Sequence, residues 1–404
     1  MSTSMLYHTQ GIRGFRYRRT DYPAGKTVIH LEHDPERWRC DGCGSDRVVG
    51  AGQVAREFQA LPIGAKPTIL RLNVQRLRCK ACGCTRQARL GFAEPMRRQT
   101  RSFERYVIEL STRMTLADVA QHLQVSWDTV KDIHKRWLKR VLKKVRLKRI
   151  KRLAIDEICI GRGHRYLTVV LDLDTGAVVH IGHGKGVEAL TAFWKRLRSS
   201  GAKVQAVATD MSAAYTLAVA EHLPEAVHVF DRFHVVKLFN DKLSQLRRSI
   251  QNEAQTRQQK DAIKGTRWLL LKNPDHLDPQ KNEHQRLAEA LRLNAPLATA
   301  YYLKEDLRQL WEQPDKATAE HFFDDWLART RASSIPILRR LANTLQLHRT
   351  GLLAWYDHPI STGPLEGTNN KIKTMQRQAY GYRDQQYFHL RIRTSHLTRY
   401  ALVG

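Results

Sequence analysis

Apolar and polar positions divide the chain into stretches of different rhythm. Residues 1 to about 95 read as short strands. Within them PTILRLNVQRLRC (67–79) alternates as one arm of a hairpin would. Residues 100–150 carry apolar residues at helical spacing and end in the basic run KKVRLKRIKR (143–152). Residues 151–240 alternate strands with helices. Residues 241–350 read as helical, with no glycine from 266 to 350 and apolar pairs such as Leu287 with Leu291 and Phe323 with Leu327. Residues 351–404 return to the α/β part.

The third stretch carries the most information. LAIDEICI, YLTVVLDL and AVVHIGH read as three successive strands joined by short turns. GVEALTAFWKRLRSS is a helix and VQAVATD a strand. A helix follows from about Ser212 to His222, then the strand AVHVFD, then a long helix from near Arg232. The order β-β-β-α-β-α-β-α is that of an RNase H-like core, in which the first and fourth strands lie side by side. The expected fold class is therefore multidomain α/β. A zinc-binding module (1–95) and a helix-turn-helix with its basic linker (100–150) precede the core. The core itself (151–240 and 351–404) is interrupted by an all-helical insertion (241–350).

Charge narrows the partners. Of 404 residues, 68 are Lys or Arg and 39 are Asp or Glu, a net charge of +29. An excess of this size suits a polyanion such as double-stranded DNA, because each neutralised phosphate releases a counterion. No apolar run reaches the roughly 18 residues a membrane span requires. The first twenty residues hold no stretch suited to a secretion signal. A cytoplasmic location is expected, and its reducing environment keeps cysteines as thiols.

Cys40-Asp-Gly-Cys43-Gly and Cys79-Lys-Ala-Cys82-Gly repeat one pattern. Each pair offers two thiolates to one metal ion, and two pairs complete a tetrahedron, so structural Zn²⁺ is expected. A redox Cys-x-x-Cys requires a βαβ setting that is missing here. Cys84 lies close enough to leave the fourth ligand open. His30 and His33 read as surface histidines.

TLADVAQHLQVSWDTVKDIHKRWLKR (115–140) has the form of a helix-turn-helix. Leu116, Val119, Ala120 and Leu123 make one apolar face, Val125 sits in the turn, and Ser126 caps the second helix. Val130, Ile133 and Trp137 face back, leaving Lys131, Lys135 and Arg136 for DNA in the major groove.

Asp156 and Asp210 sit at matching places in apolar strands, where a carboxylate is costly without a partner such as a metal. Glu157 points to the opposite face. Asp172 and Asp174 belong to a hairpin turn. Asp210 also fits as a cap for the helix after it. A third acid has to come from a later helix, and TGPLEGTNNKIK offers Glu366 in a first turn that Gly363 caps and Pro364 begins. Positions 366, 369, 370 and 373 share a face, so Asn369, Asn370 and Lys373 suit phosphate. Hard oxygen ligands favour Mg²⁺, and phosphodiester transfer uses two such ions about 3.5–4 Å apart.

Together Ile155-Asp156-Glu157, Thr209-Asp210-Met211, Asp231-Arg-Phe-His234, STGPLEGTNNKIK (361–373) and AYGYR (379–383) resemble the ISL-three family of bacterial insertion-sequence transposases over essentially the whole chain. The resemblance implies a bacterial, nucleoid-associated DDE enzyme with Asp156, Asp210 and Glu366 as its triad and His234 near the scissile phosphate. It implies binding to terminal inverted repeats, hydrolysis at the element's ends, joining of 3′-hydroxyls to target DNA, and a homodimer on DNA. Trp268 of the insertion reads as a core residue, with stacking on a flipped base as the alternative. The rival readings are a DNA-binding regulator without catalysis and an RNase H-like nuclease without strand transfer.

Overall fold

The computed structural model describes residues 5–395 except 143–145, 162, 257–259 and 262. The start of the basic run thus lies outside the described residues. The chain forms two compact units, Met1–Lys143 and Lys144–Gly404.

In the first unit, after a short helix α1 (Met5–Gln10), strands β1 (Phe15–Asp21), β2 (Thr27–His33), β3 (Val48–Ile63), β4 (Lys66–Cys79) and β5 (Thr85–Gln87) make a sheet of order β1-β2-β4-β3, with β5 on β4. β3 and β4 run to 16 and 14 residues, longer than the short strands expected. Phe58, Leu70, Leu72 and Val74 line the sheet's buried side, and Phe92 closes it. The half of β3 near Gly50 is exposed, which hides the strand from a search for apolar alternation. His30 and His33 belong to this sheet rather than to the surface. His30 bonds Asp21 across the β1–β2 pair at 2.7 Å, and His33 packs edge-on against Phe15.

Three helices follow: α2 (Arg101–Ser111), α3 (Leu116–Leu123) and α4 (Trp127–Val141). Each begins on a hydroxyl cap. Thr100, Thr115 and Ser126 accept from the backbone N–H of Phe103, Asp118 and Thr129. Gln124 takes the left-handed conformation that ends α3 and turns the chain into α4. Phe103, Val107, Val119, Ala120, Leu123, Val130 and Ile133 form the shared core.

The second unit holds β6 (Arg152–Gly161), β7 (Arg165–Asp172), β8 (Val178–His183), β9 (Ala206–Thr209) and β10 (Val227–Phe230), in the order β10-β9-β6-β7-β8. β6, β7 and β8 pair antiparallel, whereas β9 and β10 join parallel to β6. α5 (Thr191–Ser200) and α6 (Ala213–His222) cover one face through Leu153, Ile155, Val170, Phe193, Trp194 and Tyr215. α7 (Arg232–Glu253) leads away from β10 into a helical block of α8 (Arg267–Leu271), α9 (Glu283–Arg292), α10 (Ala295–Arg308), α11 (Lys316–Ala332), α12 (Pro336–Leu347) and α13 (Arg349–Leu353). α14 (Gly363–Gln378) and α15 (Gln385–Thr394) then return to the sheet's other face through Leu365, Ile372, Phe388 and Ile392.

The block packs around Phe239, Phe323 and Trp326, whose indole N–H donates to the Leu303 carbonyl at 2.8 Å. Trp268 does not join that core: it is 65% exposed, with the Arg267 guanidinium over its ring. α8 is short and spends its buried side on Leu269 and Leu270, which turns Trp268 outward.

The block reaches the sheet where Gly351 of α13 meets Phe230. A Cβ on Gly351 would lie 2.4 Å from that ring. Gly351→Ala is expected to destabilise the second unit by roughly 1–3 kcal/mol, as overpacked cores do. Urea unfolding checks this, and an unchanged midpoint would show that the contact relaxes freely.

Candidate functional site

The parallel register places three acids in a row. Ala154 lies opposite Ala208, so Asp156 and Asp210, each two residues on, fall side by side. Phe230 lies opposite Thr209, which brings Asp231 beside Asp210. β9 ends at Thr209 and β10 at Phe230, so Asp210 and Asp231 stand just past the strand ends, on the backbones that open α6 and α7.

α14 lies across this row. The Thr362 hydroxyl donates to Asp231 Oδ2 at its start, and Asn369 Nδ2 donates to Asp156 Oδ2 at 2.9 Å two turns later. Gln376 continues along β6 by donating to the Ile160 carbonyl at 3.0 Å. Glu366 falls between Thr362 and Asn369, on the part of the helix that runs from Asp231 to Asp156, with Asp210 between those two acids in the sheet. Its side chain is exposed. Among the described residues, the cysteine cluster is the group of three or more ligand-type side chains with all ligand atoms within 4.8 Å of one another. The carboxylates of Asp156, Asp210 and Glu366 are therefore more widely spread.

Asn369 departs from the face expected for it. It belongs to the buried stripe with Leu365 and Ile372, while Glu366, Asn370 and Lys373 lie on the exposed flank. Its Oδ1 is buried and has no partner among the described residues. The capping differs by one position: Thr362, not Gly363, precedes the helix, and its hydroxyl serves Asp231 instead of the helix backbone.

The remaining acids divide as expected. Asp210 Oδ1 accepts the Ser212 N–H at 3.0 Å, so it caps the turn into α6. Glu157 faces α6, where the Tyr215 hydroxyl donates to it at 2.8 Å. Asp172 accepts from Asp174 N and from the Thr175 hydroxyl within the hairpin turn, and Asp174 pairs with Arg152.

Burial and like charge make the row costly in isolation. Burial pushes the Asp156 carboxyl above its ordinary range; the Glu157 N–H and the His234 charge oppose this, and the Asp210 and Glu157 charges add to it. His234 Nδ1 donates to Asp231 Oδ2 at 3.2 Å. Burial works against the imidazolium, but the Asp231 bond and the charges of Asp156, Asp231 and Asp210 outweigh it and hold His234 above its usual value. Burial also opposes the Asp231 carboxylate, but the bonds from His234 and Thr362 and the His234 charge hold it below its usual value.

A raised histidine contributes stability that is complete below its unfolded value of 6.5 and lost as pH rises through its folded value. A depressed aspartate contributes stability above its unfolded value, lost as pH falls through its folded value. The Asp231–His234 pair thus contributes fully between the unfolded values of 3.8 and 6.5 and fades outside them. His234→Gln is expected to cost more stability near pH 6 than near pH 9, in urea unfolding without added divalent metal. An equal cost at both would mean that the imidazole is not charged by this row.

The cysteines form a second site. Val48, which opens β3, pairs with Cys79, which ends β4, so the long hairpin returns the second knuckle to the first. Both knuckles turn alike. The Gly44 N–H donates to the Cys40 carbonyl at 2.8 Å and the Gly83 N–H to the Cys79 carbonyl at 3.0 Å, each glycine at a positive φ near +75° or +72°. The backbone N–H groups of Gly42 and Ala81 reach the Cys40 and Cys79 sulfurs at 3.4 Å. Cys40, Cys43, Cys79 and Cys82 converge, with Cys40–Cys82 at 3.7 Å and Cys43–Cys79 at 3.6 Å. Four thiols so disposed, with N–H donors toward their sulfurs, fit a structural Zn²⁺. Cys84 stands outside that set, 3.2 Å from Cys82 and 3.4 Å from Cys40.

The basic side of α4 is less free than its spacing suggests. Lys131, Lys135 and Arg136 are all half-buried. Arg136 braces α4 to α2 through Glu104 at 2.7 Å, and Lys131 pairs with Asp128 at 2.9 Å above the Trp127 ring.

Comparison with known proteins agrees with this organisation. A family model described as a transposase matches residues 153–392. A model for the helix-turn-helix domain of transposase family ISL3 matches 88–138, and one for the zinc-finger of transposases IS204/IS1001/IS1096/IS1165 matches 36–82. The chain belongs to the ISL3 family of transposases. It is 35% identical over 392 residues to the transposase for insertion sequence element IS1001 of Bordetella parapertussis, covering 95% of this chain and 96% of that one. It is 29% identical over 377 residues to the transposase for IS1557 of Mycobacterium tuberculosis, covering 86% and 83%. The solved Drosophila P element transposase strand transfer complex aligns with a TM-score of 0.38 and 12% identity over 73% of this chain and 91% of that one. No described helix is long and apolar enough to cross a membrane.

Proposed function

We propose that the chain cuts and rejoins DNA at the terminal inverted repeats of an insertion sequence, with Asp156, Asp210 and Glu366 as its catalytic carboxylates. In this reading the second unit's sheet is an RNase H-like core, residues 151–240 and 351–404, interrupted by the helical insertion 241–350. Residues 1–95 are the zinc module and 100–150 the helix-turn-helix with its linker. The observation that carries the reading is the register of β6, β9 and β10, which aligns Asp156, Asp210 and Asp231 under α14.

The residues present fit divalent metal. Two neighbouring carboxylates, one held above its ordinary range by burial, have no cationic partner but His234 among the described residues, and the buried Asn369 Oδ1 adds an unpartnered hard oxygen there. Asp156, Asp210 and Glu366 would hold two Mg²⁺ ions. When bound, these supply Lewis acidity and lower the pKa of a nucleophilic water or 3′-hydroxyl. Asn369 fixes one oxygen of Asp156, and the Ser212 N–H fixes one oxygen of Asp210, which holds both carboxyl groups in place. Asp231 orients His234, whose charge lies near both acids and suits the scissile phosphate. Asn370 and Lys373, on the exposed flank of α14, would meet the DNA backbone, and Lys131, Lys135 and Arg136 of α4 the repeat. Two ends require two active sites, so a homodimer assembles on DNA.

With Mg²⁺ and duplexes bearing the element's ends, the chain is expected to cut at the boundary and to join pre-cut 3′ ends to a target plasmid. Binding without cutting would make it a regulator, and cutting without joining a nuclease.

A further inference from the structure

A cleft of about 570 Å³ lies in the first unit between α2, α4 and the turn at 94–97. Arg97, Arg101, Arg105, Arg136 and Arg140 line it, against Glu94 and Glu104. Arg101 and Arg105 are four apart on α2, and Arg136 and Arg140 four apart on α4, so each helix turns two guanidiniums to one face. The acids neutralise one arginine from each helix: Glu94 pairs with Arg101 at 2.9 Å and Glu104 with Arg136 at 2.7 Å. No carboxylate pairs with Arg97, Arg105 or Arg140 among the described residues. Three uncompensated guanidiniums around one cleft repel one another, and an anionic ligand relieves that repulsion.

We propose that this cleft grips the phosphodiester backbone of DNA, with Arg97, Arg105 and Arg140 each engaging a phosphate beside the groove that α4 enters. The guanidinium fork matches phosphate oxygens in bidentate geometry. The chain's net charge of +29 and the place of α4 in the helix-turn-helix favour nucleic acid over an acidic peptide. The inference rests on the DNA-binding role of the first unit and adds a site that reads no bases.

The test compares the full chain with the triple variant Arg97→Gln/Arg105→Gln/Arg140→Gln. Fluorescence anisotropy follows binding to a random-sequence duplex and to a terminal-repeat duplex across a salt series. Three lost phosphate contacts flatten the slope of log K against log salt by about 2.7 and weaken binding on the order of tenfold or more. Both losses are expected on both duplexes. The charge-preserving triple Arg→Lys variant retains the slope, which separates charge loss from misfolding. Unchanged slope and affinity in the Gln variant would overturn the proposal. A loss confined to the repeat duplex would also overturn it, in favour of base reading. So would lost binding to a polyglutamate peptide with DNA binding intact. A wild-type chain that binds neither duplex would instead refute the DNA-binding role itself.

Discussion

Asp156→Asn is expected to slow cleavage of terminal-repeat DNA in Mg²⁺ by on the order of 10³-fold while leaving DNA affinity unchanged. The substitution keeps the volume of a side chain that sits between apolar Ala154 and Ile158 on β6, so the sheet is retained. It removes the negative charge at the point where Asn369 already occupies one oxygen. A metal ligand contributes several kcal/mol to stabilising the charge of the transition state. About 4 kcal/mol corresponds to three powers of ten in rate. Asp174→Asn, in the hairpin turn and paired with Arg152, is the matched control and is expected to cut at the wild-type rate. Single-turnover cleavage and anisotropy, measured on the same preparations, separate chemistry from binding.

Cys79→Ser is expected to release zinc and unfold the knuckle end of the first unit. Structural zinc supplies apparent binding energies of about 10–16 kcal/mol in zinc-finger peptides, comparable with the roughly 5–15 kcal/mol that stabilises a whole domain. Cys79 also ends β4 in register with Val48, so its loss frees both knuckles from the hairpin that joins them. Zinc content by atomic absorption should fall from one per chain to near zero, and DNA affinity should drop at least tenfold. Cys84→Ser is expected to keep its zinc, because Cys84 lies outside the four-thiol set. One zinc per chain in Cys79→Ser, or its loss in Cys84→Ser, would reassign the ligands.

Features set by local spacing were legible in the sequence. The knuckles and the hydroxyl cap at Ser126 each depend on residues close in the chain. Features set by distant partners were not. Asn369 looked like a phosphate contact because its spacing from Glu366 is helical, yet it reaches Asp156 across 213 positions. Arg136 looked free, but Glu104 on α2 claims it. Trp268 read as a core residue, and only the tertiary packing of Leu269 and Leu270 turns it out. The arginine cleft follows the same rule: its two spacings of four were visible, and their convergence was not. Glu366 shows the limit most directly. The residues offered it as a first-turn acid and the family resemblance selected it, while its exposed side chain leaves its role to chemistry rather than to packing.

The most direct measurement is single-turnover joining of pre-cut repeat ends by wild type, Asp156→Asn, Asp210→Asn and Glu366→Gln at saturating protein in Mg²⁺. All four chains are expected to bind the ends equally, and each variant to lose joining by on the order of 10³-fold. Joining at the wild-type rate by the three variants would contradict the assignment of these carboxylates to the chemistry.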